Sequence, residues 1–527
     1  MVIMGYGRCL SFIFHFKSSL KQISNCYRFF SATPEWEPVV GLEIHAQIQS
    51  SSKLFSGADT NFQTPTNRSV ALFDAAFPGT LPVLNRRCVE AGTLTALALS
   101  CDLNQVSTFD RKHYFYSDLP AGYQITQHRF PLAQNGLLNF IVYKGGSDSR
   151  LYEKTSQIHQ IQLEQDSGRS LHDEIRSLVD LNRAGLPLME LVFKPDLSDG
   201  EEAAALVKEL ILVLTRLGTC SCKMEEGALR VDANVSVHRR NSPLGTRTEI
   251  KNIGAIRAVA NAVDYEIDRQ IRVLQCGKEV VNETRSWDAE RMRTVPMRDK
   301  EEKQDYRYMP EPNLPPLHLR LTNDQPMHSN MVDVTQLINK VPESPFQMRV
   351  RFQKDYGLSL LQAVRLVSED MLLPLFFNAM NMKQDRDAVI LTDLLLNDVL
   401  SYFNEDDSCN VVFKADDMGT ITDMMKDGVI SKSIARIILK ELSQSPALSA
   451  KEVMEKNNLS LICDPAIIER LCRSVTQENA NMLKKHLAGK KDSTKVLETK
   501  VWKKSEGRAN MNLVKEWFKT NYPFSKK

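Results

Sequence analysis

The sequence predicts an α+β fold: a mixed-sheet N-terminal domain, then an all-helical middle region and a helical C-terminal tail domain. Three observations carry that prediction. Strand-like and helix-like stretches interleave through about Leu321 without a repeated motif, Pro310, Pro312, Pro315 and Pro316 then stiffen a boundary, and helical patterning dominates beyond Val332. At one domain per ~150 residues, 527 residues predict about three units. With a leader over 1–33, these are an α+β domain over 34–325, a helical middle over 326–405 and a tail over 406–527, the second border being set by the polar, acidic run from Asn404 to Asn410.

The leader comes first. No Asp or Glu precedes Glu35, while Arg8, Lys17, Lys21 and Arg28 alternate with Ser11, Ser18, Ser19, Ser24 and with Phe12, Phe14 and Phe16. An acid-free, basic, Ser-bearing segment has the pattern of a mitochondrial transit peptide and predicts the matrix as destination. A secretory signal is the competing reading, but His15 and Lys17 interrupt its apolar core. No apolar run approaches the ~18 residues of a membrane span, so no membrane partner is expected.

Three strands follow whose polar faces carry chemistry. In VVGLEIHAQI, Val40, Leu42, Ile44, Ala46 and Ile48 share one face, so Glu43, His45 and Gln47 project from the other. In IHQIQLEQDSG, Ile158, Gln160, Gln162, Glu164 and Asp166 oppose His159, Ile161 and Leu163. In KMEEGALRVDANVSVH, Leu229, Val231, Ala233, Val235 and Val237 point one way and Arg230, Asp232, Asn234, Ser236 and His238 the other. Carboxylates and an imidazole on one sheet surface repel or desolvate one another unless a cation lies between them, and Mg²⁺ is the simplest resolution. Arg183, Lys223, Arg230 and Lys251 are, as the family resemblance given below implies, candidates to neutralise triphosphate or acyl-phosphate charge, with Glu225, Asp232 and Asn234 orienting them; an ion-pair network on a sheet face is the alternative.

Two helices are well signalled. Asp199 with Glu202 forms a capping box ahead of the stripe Ala203, Leu206, Val207, Leu210, Ile211 and Leu214, and Gly218 stops it. The second runs from about Ala255 to Cys276, before Gly277. Another short amphipathic helix is expected over Ser431 to Leu442.

Net charge is only +2, but Lys484 to Lys527 holds thirteen Lys or Arg against four acidic residues. That stretch, with Lys490, Lys491, Lys503, Lys504 and Arg508, reads as a phosphate-binding surface or as a solvated basic tail. Arg111, Lys112, His113 and Tyr114 interleave cations with rings in a Pro/Gly-bounded loop, suited to stacking on an RNA end or, as the family resemblance given below implies, to lining an ammonia route; a packed aromatic corner is the plainer reading. The ten cysteines have no framework spacing, and Cys220 with Cys222 cannot supply four zinc ligands. There is no G-x-x-x-x-G-K-[ST], no G-x-G-x-x-G after a strand and no G-x-S-x-G, so any ATP chemistry must rest on carboxylates and metal, and an acyl-enzyme finds no support.

In order, GLEIHAQ, FDRKHYFYSDLPAGYQIT, IQLEQDSG, SLVDLNRAGLPLMELV, KMEEGALRVDANVSV, TEIKNI, ETRSWD and DYRYMPEPNLPPL resemble the B subunit of glutamyl-tRNA(Gln) amidotransferase over nearly the whole chain after the leader. With the leader, the resemblance points to the mitochondrial branch of that family. It implies a cradle-like catalytic domain and a subunit that uses ATP and Mg²⁺ to activate the glutamate of Glu-tRNA(Gln) as an acyl phosphate. It also implies an amidase A subunit as ammonia source and a small C subunit as brace. The motifs GLE-x-H, LE-x-D and PL-x-E put Glu43, His45, Glu164 and Glu190 in the metal and phosphate cluster, His45 either as a direct ligand or through water. The basic end resembles the family's helical RNA-binding module, Gly507, Arg508, Ala509 and Asn510 standing for its Gly-Lys-Ala-Asn turn, with an intersubunit brace as alternative. Three departures stand out. Ala71 and Asp74 occupy the place of a Cys-x-x-Cys zinc element ahead of Pro78 and Gly79, so no zinc is expected; Gln165 replaces the second Glu of Glu-Glu-Asp; and Met511 replaces the Pro after the turn. A scaffold that only delivers Glu-tRNA to an amidase is the rival class, and it has no need of these carboxylates side by side.

Overall fold

The computed structural model describes residues 35–145, 150–172, 175–297, 306–329, 331–404, 412–487 and 492–523. The expected leader and Lys490 and Lys491 lie outside the described residues. The chain divides into two compact units that meet in sequence at Phe346 and Gln347.

The first unit is built on strands β1 (Trp36–Gln47), β2 (Asp102–Leu103), β3 (Asp110–His113), β4 (Tyr123–Thr126), β5 (Ala133–Lys144), β6 (Arg150–Gln165), β7 (Pro187–Phe193), β8 (Leu229–Arg239), β9 (Thr248–Ile253), β10 (Thr284–Asp288), β11 (Arg293–Pro296) and β12 (Arg307–Pro310). Nine of them form one mixed sheet in the order β11-β10-β9-β8-β1-β7-β6-β5-β2, in which only β9 and β10 run parallel. Helices α1 (Arg86–Ala98), α2 (Gly200–Leu217) and α3 (Ile256–Gln275) cover its apolar face, where Leu42, Ile44, Val231 and Ala233 are buried with Leu206, Leu210, Val259 and Val263. Burying one face while leaving the other polar is what period-two alternation predicts.

Both expected helices form, with one refinement. Asp199 caps α2 by accepting from the Glu202 amide at 2.9 Å, and Gly218 ends it in the left-handed region at φ 62°. The Glu202 carboxylate, however, reaches the Ser198 amide and hydroxyl at 2.8 and 2.7 Å instead of the cap residue, and also binds Tyr152 and Lys154. A full capping box is therefore replaced by a tie between the helix start and β6.

One face assignment is corrected. Along β6 the register slips at a bulge: Gln160 faces Val192, but Ile158 faces Phe193, leaving His159 as the extra residue. Ile158 therefore joins the core, fully buried, instead of sharing the face of Gln160, Gln162 and Glu164. A second, three-stranded sheet in the order β12-β3-β4 is antiparallel throughout, and its strand β4 lies against β6.

Apart from one isolated bridge between Ile462 and Ala509, the regular elements described in the second unit are helices. Ser431 caps a helix over Lys432–Gln444, two residues longer than its expected end. The border expected at 405/406 does not separate two cores: Phe376, Leu391, Leu395 and Val399 are buried in one cluster with Phe413, Met418, Ile421, Ile434 and Leu459. A separate, smaller cluster holds Ile468, Cys472, Val475, Leu497, Val501, Val514 and Phe518. Among the described residues no helix is long and apolar enough to cross a membrane.

Candidate active site

The register of the large sheet sets the site. On β1, His45 lies opposite Arg230 of β8 on one side and Glu190 of β7 on the other, and Glu190 in turn lies opposite Gln162 of β6. Directly opposed residues of an antiparallel pair share a face, so Arg230, His45, Glu190 and Gln162 form one polar row. Asp232 and Glu43 begin the neighbouring row on one side, and Glu164, opposite Leu188, lies in the row on the other.

His45, Glu164 and Glu190 each place one ligand atom within 4.8 Å of the other two. Burial pushes the Glu190 carboxyl up to about 8, with the nearby Glu164 charge adding to the effect, and burial likewise raises Glu164. Burial and then the Arg230 charge push His45 down to about 3, so its imidazole is neutral, and its 3.9 Å approach to Glu190 Oε1 is not an ion pair. Glu164 Oε2 is buried without a hydrogen-bond partner. A neutral imidazole nitrogen and two buried carboxylates are a donor set that fits a divalent cation, and the orphaned Glu164 Oε2 is the atom such an ion would satisfy.

Glu43 stands apart from this triad. It accepts from Asn234 Nδ2 at 2.9 Å across the β1/β8 pair, and its carboxyl is raised by burial and by Glu249. Asp232 beside it is bound by Lys251 Nζ at 3.1 Å, and Lys251 also lies 3.3 Å from Glu249. Arg230 reaches Asp166 at 3.1 Å, while its Nε is buried with no partner. Arg183 lies 3.7 Å from the same carboxylate and donates to the Ser167 carbonyl at 3.0 Å. Lys223 and Glu225 are exposed ahead of β8; Lys223 pairs with Glu226 at 3.0 Å and, with Gln47, Asn61, Arg87 and Ser221, lines a cleft of about 840 Å³.

Arg111 and Lys112, read as contacts for an RNA end, lie on strand β3. Arg111 is forked onto the buried Glu311, Nη2 to Oε1 at 3.2 Å, with its guanidinium over the Tyr123 ring. Lys112 turns to the carboxylates: Glu164 and Glu190 hold its ammonium charged against burial, and it sits 4.7 Å from the Tyr306 ring centre. Sequence reading also passed over Gln124, which donates to Glu164 Oε1 at 2.7 Å. No signal in its own strand marks it, since the contact exists only because β4 lies against β6. Asp74 pairs with the fully buried Lys53 at 3.1 Å.

In the tail, Lys503 and Lys504 line a second cleft with Lys500, Asn479 and Glu478; Lys504 is bound to Glu478. Gly507 has a φ of 79°, Arg508 donates to the Asn458 carbonyl at 3.2 Å, and Asn510 caps the helix Met511–Asn521.

Two family models match: the GatB/GatE catalytic domain over residues 38–323 and the GatB domain over 375–521. Among curated relatives, the chain is 50% identical over 486 residues to the B subunit of the mitochondrial glutamyl-tRNA(Gln) amidotransferase of Drosophila melanogaster, covering 91% of this chain and 93% of that protein. It is 47% identical over 457 residues to the human protein of the same name, covering 85% and 82%. It is 38% identical over 493 residues to the B subunit of the aspartyl/glutamyl-tRNA(Asn/Gln) amidotransferase of Rickettsia typhi, covering 92% and 98%.

Proposed function

Because the chain belongs to the family of glutamyl-tRNA(Gln) amidotransferase B subunits, we propose that it is the activating subunit of a glutamine-hydrolysing carbon-nitrogen ligase that converts Glu-tRNA(Gln) to Gln-tRNA(Gln) in the mitochondrial matrix. Its partners are an amidase A subunit, a small C subunit and tRNA(Gln) carrying glutamate, and residues 1–33 serve as the import leader. A γ-carboxylate is a poor electrophile. Its oxygen therefore attacks the γ-phosphorus of ATP, releasing ADP and leaving a γ-glutamyl phosphate; ammonia then attacks the acyl carbon and phosphate departs.

His45, Glu164 and Glu190 are the residues that hold Mg²⁺, and the ion, when bound, offsets charge on the transferring phosphoryl group. Glu43 acts beside them, oriented by Asn234. Arg230, Arg183 and Lys251, held by Asp166 and Asp232, present fixed positive charge to the phosphates. Lys112 adds a cation at the carboxylates, Arg111 braces the strand that carries it, and Lys223 with Glu225 lies at the rim. Lys503, Lys504 and Arg508, with Lys490 and Lys491, grip the tRNA body through its phosphates.

The observation that carries this reading is the convergence of His45, Glu164 and Glu190, from three separate strands, around a buried carboxylate oxygen with no partner. The test is ATP-dependent amidation of Glu-tRNA(Gln) by the co-expressed complex with free ammonium, which bypasses the amidase step, for wild type and Glu164→Gln. Product from wild type alone supports activation by this subunit; equal product from both overturns it in favour of a delivery scaffold.

A further inference from the structure

Each of the two carboxylates of the triad has one oxygen tied to a buried glutamine. Gln124 Nε2 donates to Glu164 Oε1 at 2.7 Å and to the Gln165 carbonyl at 2.6 Å, while its Oε1 accepts from the Tyr114 hydroxyl at 3.1 Å. Gln162 Nε2 donates to Glu190 Oε2 at 2.6 Å and to Thr126 Oγ1 at 3.1 Å, while its Oε1 accepts from Gln160. Both glutamines are 6% exposed. The Gln124 carboxamide cannot turn over without loss: its two N–H groups meet a carboxylate and a main-chain carbonyl, both acceptors only, and a flip sets oxygen against oxygen.

The consequence lies on the other oxygens. With Oε1 held by Gln124, Glu164 is left with Oε2, the buried atom that has no partner. With Oε2 held by Gln162, Glu190 is left with Oε1, the atom facing His45 Nε2.

We propose that Gln124 and Gln162 are positioning residues, one carboxamide for each cation-binding carboxylate, which fix the rotamer that turns the free oxygen of Glu164 and Glu190 into the shared site. This rests on the reading of the triad as a divalent-cation site. Neutral carboxamides suit the task because each binds a carboxylate oxygen without adding further positive charge to the site. Outer-shell partners of this kind are generally worth 10–100-fold in metal affinity.

The test is a Mn²⁺ titration of the co-expressed complex, following free Mn²⁺ by electron paramagnetic resonance, for wild type, Glu164→Gln, Gln124→Met and Gln162→Met, with thermal melting of each. Methionine keeps length and removes the donor. The expected result is that Glu164→Gln abolishes the site and that each Met variant weakens Mn²⁺ by about 10–100-fold at a near-native melting temperature. A second expected signature is that most of kcat returns at saturating Mg²⁺. If Gln124→Met does not fold, Gln162→Met carries the test on the other carboxylate. Wild-type Mn²⁺ affinity in the Met variants, with loss in Glu164→Gln, overturns the positioning role alone; wild-type affinity in Glu164→Gln overturns the cation site and this role with it.

Discussion

His45 and Glu190 face each other across adjacent antiparallel strands, Nε2 3.9 Å from Oε1, although 145 residues separate them in the chain. An imidazole and a carboxylate this close would ordinarily attract as an ion pair. Here burial pushes the imidazole down to about 3 and the carboxyl up to about 8, so the pair gains no charge attraction of its own, and a cation between them would favour the ligating form of both.

Glu190→Gln and Glu43→Gln are expected to separate two roles. Both lower amidation by on the order of a hundredfold, as loss of site electrostatics does. Only Glu190→Gln raises the Mg²⁺ concentration for half-maximal rate, because Glu43 is bonded to Asn234 outside the triad. An equal Mg²⁺ shift in both variants sinks the distinction.

The cation-free protein is expected to lose stability between about pH 6.5 and 8. His45, depressed to about 3, stabilises the fold above its unfolded value of about 6.5, and that contribution is constant over this range. Glu190, raised to about 8, stabilises the fold below its unfolded value of about 4.5 and loses that contribution as pH rises through 8. Melting temperatures across the window should therefore fall in wild type, flatten in Glu190→Gln and be restored by Mg²⁺; a wild-type curve as flat as the variant's contradicts the assignment.

Lys53→Met alone leaves Asp74 buried, its Oδ1 already without a hydrogen-bond partner. Loss of one partner from a buried pair costs about 3–5 kcal/mol, whereas the double replacement Lys53→Met with Asp74→Leu recovers much of that. Urea midpoints of the single and double variants measure the coupling, and additive losses refute it.

Gly200→Ala is expected to disturb the first turn of α2. An added Cβ meets the Ala260 carbonyl oxygen of α3 at 2.2 Å, a backbone contact that no rotamer change relieves. Overpacking of this kind costs about 1–3 kcal/mol, read as a lower melting temperature; an unchanged one shows that the helices part freely.

In the tail, Lys503→Ala should weaken tRNA binding with kcat unchanged and reduce the salt dependence of log Kd by about one phosphate contact. A normal salt slope places the tRNA elsewhere.

Much of this was legible in the chain. The alternation from Leu229 to Val237 and from Val40 to Ile48 appears as read, because one buried face enforces period two. The bulge at His159 was not legible, since Ile158 is apolar in either register and only its pairing with Phe193 decides its face. Lys112 reads as an RNA contact because cations and rings interleave around it, and only the structure shows that strand β3 also brings it into the field of Glu164. The polar run near residue 405 looks like a linker, but Leu395 and Phe413 on either side of it share one core.

The sequence by itself determined the family, the α+β class, the strand faces and the residue types of the site, because these follow from local periodicity and from ordered motifs. Only the tertiary structure decided which side chains meet. Strand register grouped His45 with Glu190 and Glu164 and left Glu43 to Asn234, and the approach of β4 to β6 brought Gln124 to the site. Pairing between strands more than a hundred residues apart depends on the packing of the whole sheet, which no local pattern encodes.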